Sequence, residues 1–254
     1  MTTLTQILFS TILVSLISFI GLIFLFLKER ILNKVLLFLV AFSAGALMGA
    51  AFFDLLPEAI KIAGDSGISL LKVFSYLILG FCAFFILEQF LGWHHHHTVQ
   101  HPELKTFSYL ILVSDGLHNF IDGLIIAGSF LAGFPVGITA TLAVIFHEIP
   151  KEIGNIGVLL YGGMKKSRAL LLNFITACLA ILGGLVGFFF SQRTEEAILF
   201  LLSFAAGSFI YISASDLIPQ IKENRIFKNS SISFLIFLAG IVLIWALVLL
   251  LPNR

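Results

Sequence analysis

Charge is what this chain has least of. Asp, Glu, Lys and Arg make up only 11% of its 254 residues, while 59% are hydrophobic. Soluble domains carry about 25% charged residues, so a large soluble core is excluded and a polytopic membrane protein remains. A formal net charge of +1 leaves no basic surplus for nucleic acid and no acidic tail. The two cysteines, Cys82 and Cys178, both sit in apolar segments. They are too few for a disulfide framework and form no CxxC pair. No Walker sequence is present, which argues against ATP-driven chemistry. No basic region precedes the apolar stretch Ile7 to Leu27, and that stretch is too long for the core of a signal peptide. It is read as a first spanning helix.

What the chain does have is long apolar runs. A spanning helix needs about 20 mainly apolar residues, and segments near 5–27, 35–57, 70–92, 107–131, 135–160, 168–190, 196–217 and 231–251 qualify. The fourth and fifth are the least apolar, so hydropathy alone allows six to eight spans; eight is the reading taken. The expectation is a single all-α transmembrane domain over residues 1–254, with one His-rich loop at 93–105. Lys and Arg in short loops favour the cytoplasm. The loops after odd-numbered segments hold ten of them: Lys28, Arg30, Lys34, Lys105, Lys165, Lys166, Arg168, Lys222, Arg225 and Lys228. The other side holds four: Lys61, Lys72, Arg193 and Arg254. Both termini are therefore expected outside, and the short loops suggest a prokaryotic plasma (inner) membrane.

One pattern occurs twice. Ala44-Gly45, eight residues, then Asp54-Leu55-Leu56-Pro57 matches Ala206-Gly207, eight residues, then Asp216-Leu217-Ile218-Pro219. In the expected topology the two copies run in opposite directions, the signature of inverted repeats in alternating-access carriers.

The few charges are concentrated where they are most costly. The fourth segment carries Asp115, His118, Asn119 and Asp122, spaced i, i+3, i+4 and i+7 along one helical face. The fifth carries His147, Glu148, Lys151, Glu152 and Asn155 as a single stripe. Each charge at the bilayer centre costs roughly 2.5–3.5 kcal/mol on insertion scales, so these groups must face one another or a wet cavity. Counted from the outer ends of their segments, His118 and His147 both lie roughly 18–20 Å deep. His118, Asp122 and His147 offer N, O and N donors, a borderline set that suits Zn²⁺ and tolerates Fe²⁺, Mn²⁺ or Cd²⁺. Glu148 or a water completes four-coordination. Pro150 cannot donate to the Phe146 carbonyl, and that oxygen is expected to be free to line an ion path.

The two motifs, His118-Asn119-Phe120-Ile121-Asp122-Gly123 and His147-Glu148-Ile149-Pro150-Lys151-Glu152, resemble those of the ZIP (Zrt-, Irt-like) metal-ion transporters. The likeness is to the subfamily whose motifs read HNFxDG and HEIPHE. It extends to Asp54–Glu58 and to Asp216–Pro219, covering residues 35–220. What the resemblance implies is an eight-helix carrier in a 3+2+3 arrangement, commonly dimeric, moving divalent metal into the cytosol. Inverted repeats of segments 1–3 and 6–8 would flank segments 4 and 5. It matches His118, Asp122 and His147 to ligands of a first metal, and Asn119, Glu148 and Asn173 to those of a second. Lys151 departs from the pattern, standing where the family has a metal-binding Glu or His. An ammonium has three donors and no lone pair. It is expected to take the second cation's place, neutralising Asp122, Glu148 and Glu152 and leaving one transport site.

Other residues have lesser expected roles. His94, His95, His96, His97 and His101 are expected to catch metal on a cytoplasmic loop. Asp54 and Glu58 are read as carboxylates of the outer mouth and Asp216 of the inner one, with Asp115 on the path inward. No catalytic cofactor is expected; the metal is cargo. The alternatives are an intramembrane zinc protease and a non-transporting metal sensor. The protease needs HExxH, and the residue four after His147 is Lys151.

Overall fold

The structure, a computed structural model, describes residues 2–24, 29–92, 103–161, 163–191, 194–223 and 230–251. The described residues are all helical or in short turns. In chain order the helices are α1 (Thr3–Ile17), α2 (Ile20–Phe24), α3 (Glu29–Ala50), α4 (Leu56–Asp65), α5 (Leu70–Gly92), α6 (Glu103–Ala132) and α7 (Phe134–Tyr161). They continue with α8 (Lys166–Ala177), α9 (Leu179–Ser191), α10 (Glu195–Tyr211), α11 (Ile218–Glu223) and α12 (Ser230–Leu250). Two π-helical stretches, Ala51–Leu55 and Ile212–Leu217, join α3 to α4 and α10 to α11 without a break.

Seven of the described helical runs are long and apolar enough to cross a membrane: Thr3–Leu22, Val35–Asp65, Leu70–Gln89, Ile111–Ala132, Lys166–Phe190, Glu195–Ser215 and Ser231–Leu250. The remaining expected span is α7. At 28 residues it has the length, but Glu148, Lys151 and Glu152 dilute its hydropathy. The second span runs further than expected, to Asp65 rather than to Pro57. A proline ring clashes with the carbonyl four residues back, and the wider π turn just before Pro57 makes room for it. Pro219 follows Ile212–Leu217 in the same way, so both copies of the sequence repeat carry a π turn enclosing the Asp.

Burial separates the helices into a centre and a rim. The most apolar window is 67% buried in α10 and 61% buried in the α3–α4 run, but only 17% buried in α5 and α12. α5 and α12 present Leu71, Phe74, Leu235 and Leu249 outward, as lipid-facing helices do. Between rim and centre, glycines let backbones touch. A Cβ on Gly45 of α3 would run into the Phe237 carbonyl of α12, and one on Gly240 of α12 into the Phe42 carbonyl of α3. Gly207 of α10 meets the Leu77 carbonyl of α5 and Gly80 the Phe204 carbonyl in return. The same reciprocity links Gly123 of α6 with Gly183 of α9. Gly45-x-x-x-Gly49 and Gly183-x-x-x-Gly187 thus serve contacts within the chain.

Polar side chains tie the remaining seams. Ser15 of α1 donates to the Ala177 carbonyl (2.8 Å), where α8 gives way to α9. Glu88 of α5 accepts from the Tyr211 hydroxyl of α10. At the far end of these two helices Lys72 and Glu196 pair, Tyr76 donates to Glu196 (3.0 Å), and Ser66 donates to Glu195. The result is that α6 and α7 cross in the middle of the molecule, with α3 against α7, α10 against α6, and α8–α9 behind α6.

Gly183→Ala is expected to lower the thermal midpoint of the detergent-purified protein by several degrees, because a methyl has no room against Phe120. Gly154→Ala, whose Cβ would point into open space, is expected to leave it unchanged or slightly raised. Scanning fluorimetry of the two variants checks this.

Candidate metal site

The face of α6 that carries Asp115, His118, Asn119 and Asp122 meets the stripe of α7 that carries His147, Glu148, Lys151 and Glu152. Asp122, His147, Glu148 and Glu152 are each at most 2% exposed, and Asn119 is fully buried. The donor atoms converge on one point. His118 Nε2 stands 3.1 Å from His147 Nε2, 3.5 Å from Asp122 Oδ2 and 3.5 Å from Glu148 Oε1. His147 Nε2 stands 3.4 Å from Asp122 Oδ2 and 3.3 Å from Glu148 Oε1. Tetrahedral Zn²⁺, with bonds of about 2.0–2.2 Å, has donor–donor edges of about 3.3–3.6 Å. Five of the six edges are therefore close to the required length. The separations to Asp122 are too long for good hydrogen bonds, and both Asp122 oxygens have no hydrogen-bond partner. His, Asp and Glu donors at these separations could hold a metal ion.

Second contacts fix the imidazoles. His147 Nδ1 lies 3.1 Å from the Ala143 carbonyl, which takes the ring proton and leaves the Nε2 lone pair aimed at the cluster. Phe84 of α5 meets the His118 ring edge-on at 5.3 Å between centroids, and Phe209 of α10 meets His147 at 6.1 Å. These two rings form an apolar wall that no motif in the sequence announces.

A second group adjoins the first. Asp115, Glu148 and Glu152 could share a cation, but Lys151 Nζ stands among them, 2.5 Å from Glu148 Oε1 and 3.1 Å from Asp115 Oδ1. Asp115 also accepts from Asn155 Nδ2 (2.9 Å) and Thr176 Oγ1 (2.7 Å). Glu152 accepts from Asn173 Nδ2 of α8. Asp115, expected on the path inward, is thus buried and committed to three donors. Sequence reasoning missed Thr176, although it lies one helical turn from Asn173 on the same face.

The structure does not bring every expected residue to the four-donor group. Asn119 turns back, its Nδ2 donating to the Asp115 carbonyl (2.9 Å) while Oδ1 is unpartnered. Asp54, expected at the outer mouth, is fully buried inside the first π stretch. Glu58 is 8% exposed and lies 3.4 Å from Lys61. Asp216 lies in the second π stretch, and its side chain is outside the described residues, as are His94, His95, His96, His97 and His101.

A bundle of apolar spans around buried imidazoles and carboxylates defines a polytopic helical membrane protein with metal-type donors in its core. The chain belongs to the ZIP zinc transporter family. The family described as ZIP Zinc transporter matches residues 4–106 and 92–248, and its members are transporters rather than enzymes. Among similar proteins, zinc transporter zipt-7.2 of Caenorhabditis elegans is 37% identical over 146 residues, 56% of this chain and 32% of that protein. Human zinc transporter ZIP6 is 36% identical over 135 residues, 51% of this chain and 18% of that protein. Metal cation symporter ZIP14 of Xenopus tropicalis is 35% identical over 159 residues, 61% of this chain and 34% of that protein. The chain thus matches 18–34% of the length of these relatives.

Breaking a buried ion pair by removing one partner costs roughly 3–5 kcal/mol. Asp115→Asn is expected to fall at the low end of that range, because Lys151 keeps Glu148. Asp115→Asn/Lys151→Met is expected to recover more than half of the lost thermal stability, measured in the same detergent.

Proposed function

We propose that this protein is a carrier for a divalent metal ion, Zn²⁺ foremost, that takes it up into the cytosol by alternating access. The observation that carries the reading is the four-donor group of His118, Asp122, His147 and Glu148 between α6 and α7, three of the four buried, with five donor separations of 3.1–3.5 Å. Two imidazoles with two carboxylates favour zinc over the harder ions, and Fe²⁺, Mn²⁺ and Cd²⁺ are tolerated cargo. Similarity to proteins named zinc transporters and metal cation symporters supports the same cargo.

In this reading α7 is the eighth span. Its polar stripe is matched by α6, so none of the charge has to meet lipid. The helices form a 3+2+3 arrangement, with α6 and α7 between two inverted repeats and the site near the bilayer midplane. The paired π turns and the reciprocal glycine contacts of α3 with α12 and of α10 with α5 support that relation. The site holds one metal. Lys151 Nζ, between Glu148 and Asp115, supplies the charge a second ion would bring. Both termini face outside the cytoplasm of the plasma membrane, the protein works as a homodimer, and the histidines of 93–105 gather metal on the inner side. A protease is disfavoured because Lys151 stands where a zinc-binding histidine is needed.

Zinc influx into proteoliposomes with a trapped zinc dye tests the function. Saturable influx by the wild type that disappears in His147→Ala is expected. A folded wild type that binds zinc without influx would point to the sensor, and influx untouched by the substitution would rule out this site. Lys151→His is expected to raise bound zinc from one to two per chain by equilibrium dialysis; an unchanged value of one would overturn the role given to the ammonium.

A further inference from the structure

Pro150 has no amide hydrogen, so the Phe146 carbonyl loses its normal partner one turn back in α7. Phe146 precedes His147, and an unsatisfied carbonyl at membrane depth is costly. The structure gives this oxygen a donor from another helix. Ser43 Oγ of α3, fully buried, donates to it. The same hydroxyl lies 2.6 Å from the Leu39 carbonyl of its own helix. Leu39 O already receives the Ser43 amide in the α-helical pattern, whereas Phe146 O has no amide to receive. The single hydroxyl proton is therefore needed at Phe146 and can be parked at Leu39 when it is not. A flanking contact holds the same junction: the Phe42 and Phe146 rings meet edge-on at 4.9 Å. On the neighbouring residue, the Ala44 carbonyl accepts from Ser213 Oγ of the second π stretch at 2.8 Å.

We propose that Ser43 is a positioning residue for the metal site: its hydroxyl replaces the amide missing at Pro150 and holds α7 against α3 at the height where His147 meets His118 and Asp122. The inference rests on the zinc-binding reading above. Ser43 touches no metal and acts only through the backbone beside His147. Because its proton has a second acceptor within its own helix, the contact releases without stranding the donor, which suits a helix that shifts during transport.

The test is a mutant cycle read as zinc affinity, by competition with a chelating dye in detergent, so that it does not depend on transport. Ser43→Ala is expected to weaken zinc binding about tenfold, the size of effect that leaving one buried acceptor unpaired produces. Pro150→Ala restores the amide to Phe146, and in that background Ser43→Ala is expected to cost less than about twofold. Equal losses in both backgrounds overturn the proposal. Ser43→Thr and Ser43→Val, which differ only in the hydroxyl, decide the matter if Pro150→Ala itself abolishes binding or Ser43→Ala does not fold. Retention by Thr with loss by Val supports the assignment, and equal behaviour overturns it. A wild type that binds no zinc removes both this inference and the reading beneath it, whereas zinc binding with an additive cycle removes this inference alone.

Discussion

A charge inside a membrane has no water to lean on, and the centre of this molecule is arranged around that constraint. The two clusters answer it differently. Asp115, Glu148 and Glu152 have an internal cation in Lys151, with the amides of Asn155 and Asn173 and the Thr176 hydroxyl covering the remaining lone pairs. His118, Asp122 and His147 have no such partner and share only Glu148 with the lysine. One half of the polar core thus holds a fixed cation, and in the other half both Asp122 oxygens are left without a hydrogen-bond partner. The boundary between the two runs through a single carboxylate, Glu148, whose Oε1 serves both.

Around this core the helices close tightly. Three reciprocal glycine crossings do this, bringing backbone against backbone where a methyl would not fit. Phe84 and Phe209 then seal the imidazoles with ring edges from α5 and α10. The close crossings lie between rim and centre, whereas α3 and α7 meet through rings and a hydroxyl. The site helices are therefore gripped more lightly from the α3 side than α3 is gripped by α12.

Much of this was legible in the residues. The i, i+3, i+4, i+7 spacing of Asp115, His118, Asn119 and Asp122 fixed one face of α6, and the stripe from His147 to Asn155 fixed its partner, because helical periodicity is a local property. Lys151 was expected to neutralise Asp122, Glu148 and Glu152; its ammonium pairs with Glu148 as expected, and with Asp115. What could not be read were features set by neighbours distant in sequence. Asp54 looked like a mouth residue because Pro57 looked like a helix end, and the π turn carried the helix on to Asp65. The Phe146 carbonyl was expected to be open to a path, and Ser43, 103 positions away, closes it.

The π turns also bear on how these two helices can vary. Each inserts one residue beyond the α pattern, advancing the phase of everything after it by about 100°. Beyond the first of them, Glu58, Ala59 and Ala63 are all buried. A single-residue deletion in Ala51–Leu55 would keep the helix and its length nearly intact while turning its last ten residues away from their neighbours. In these two segments, then, a one-residue gap is a rotation of a rigid rod.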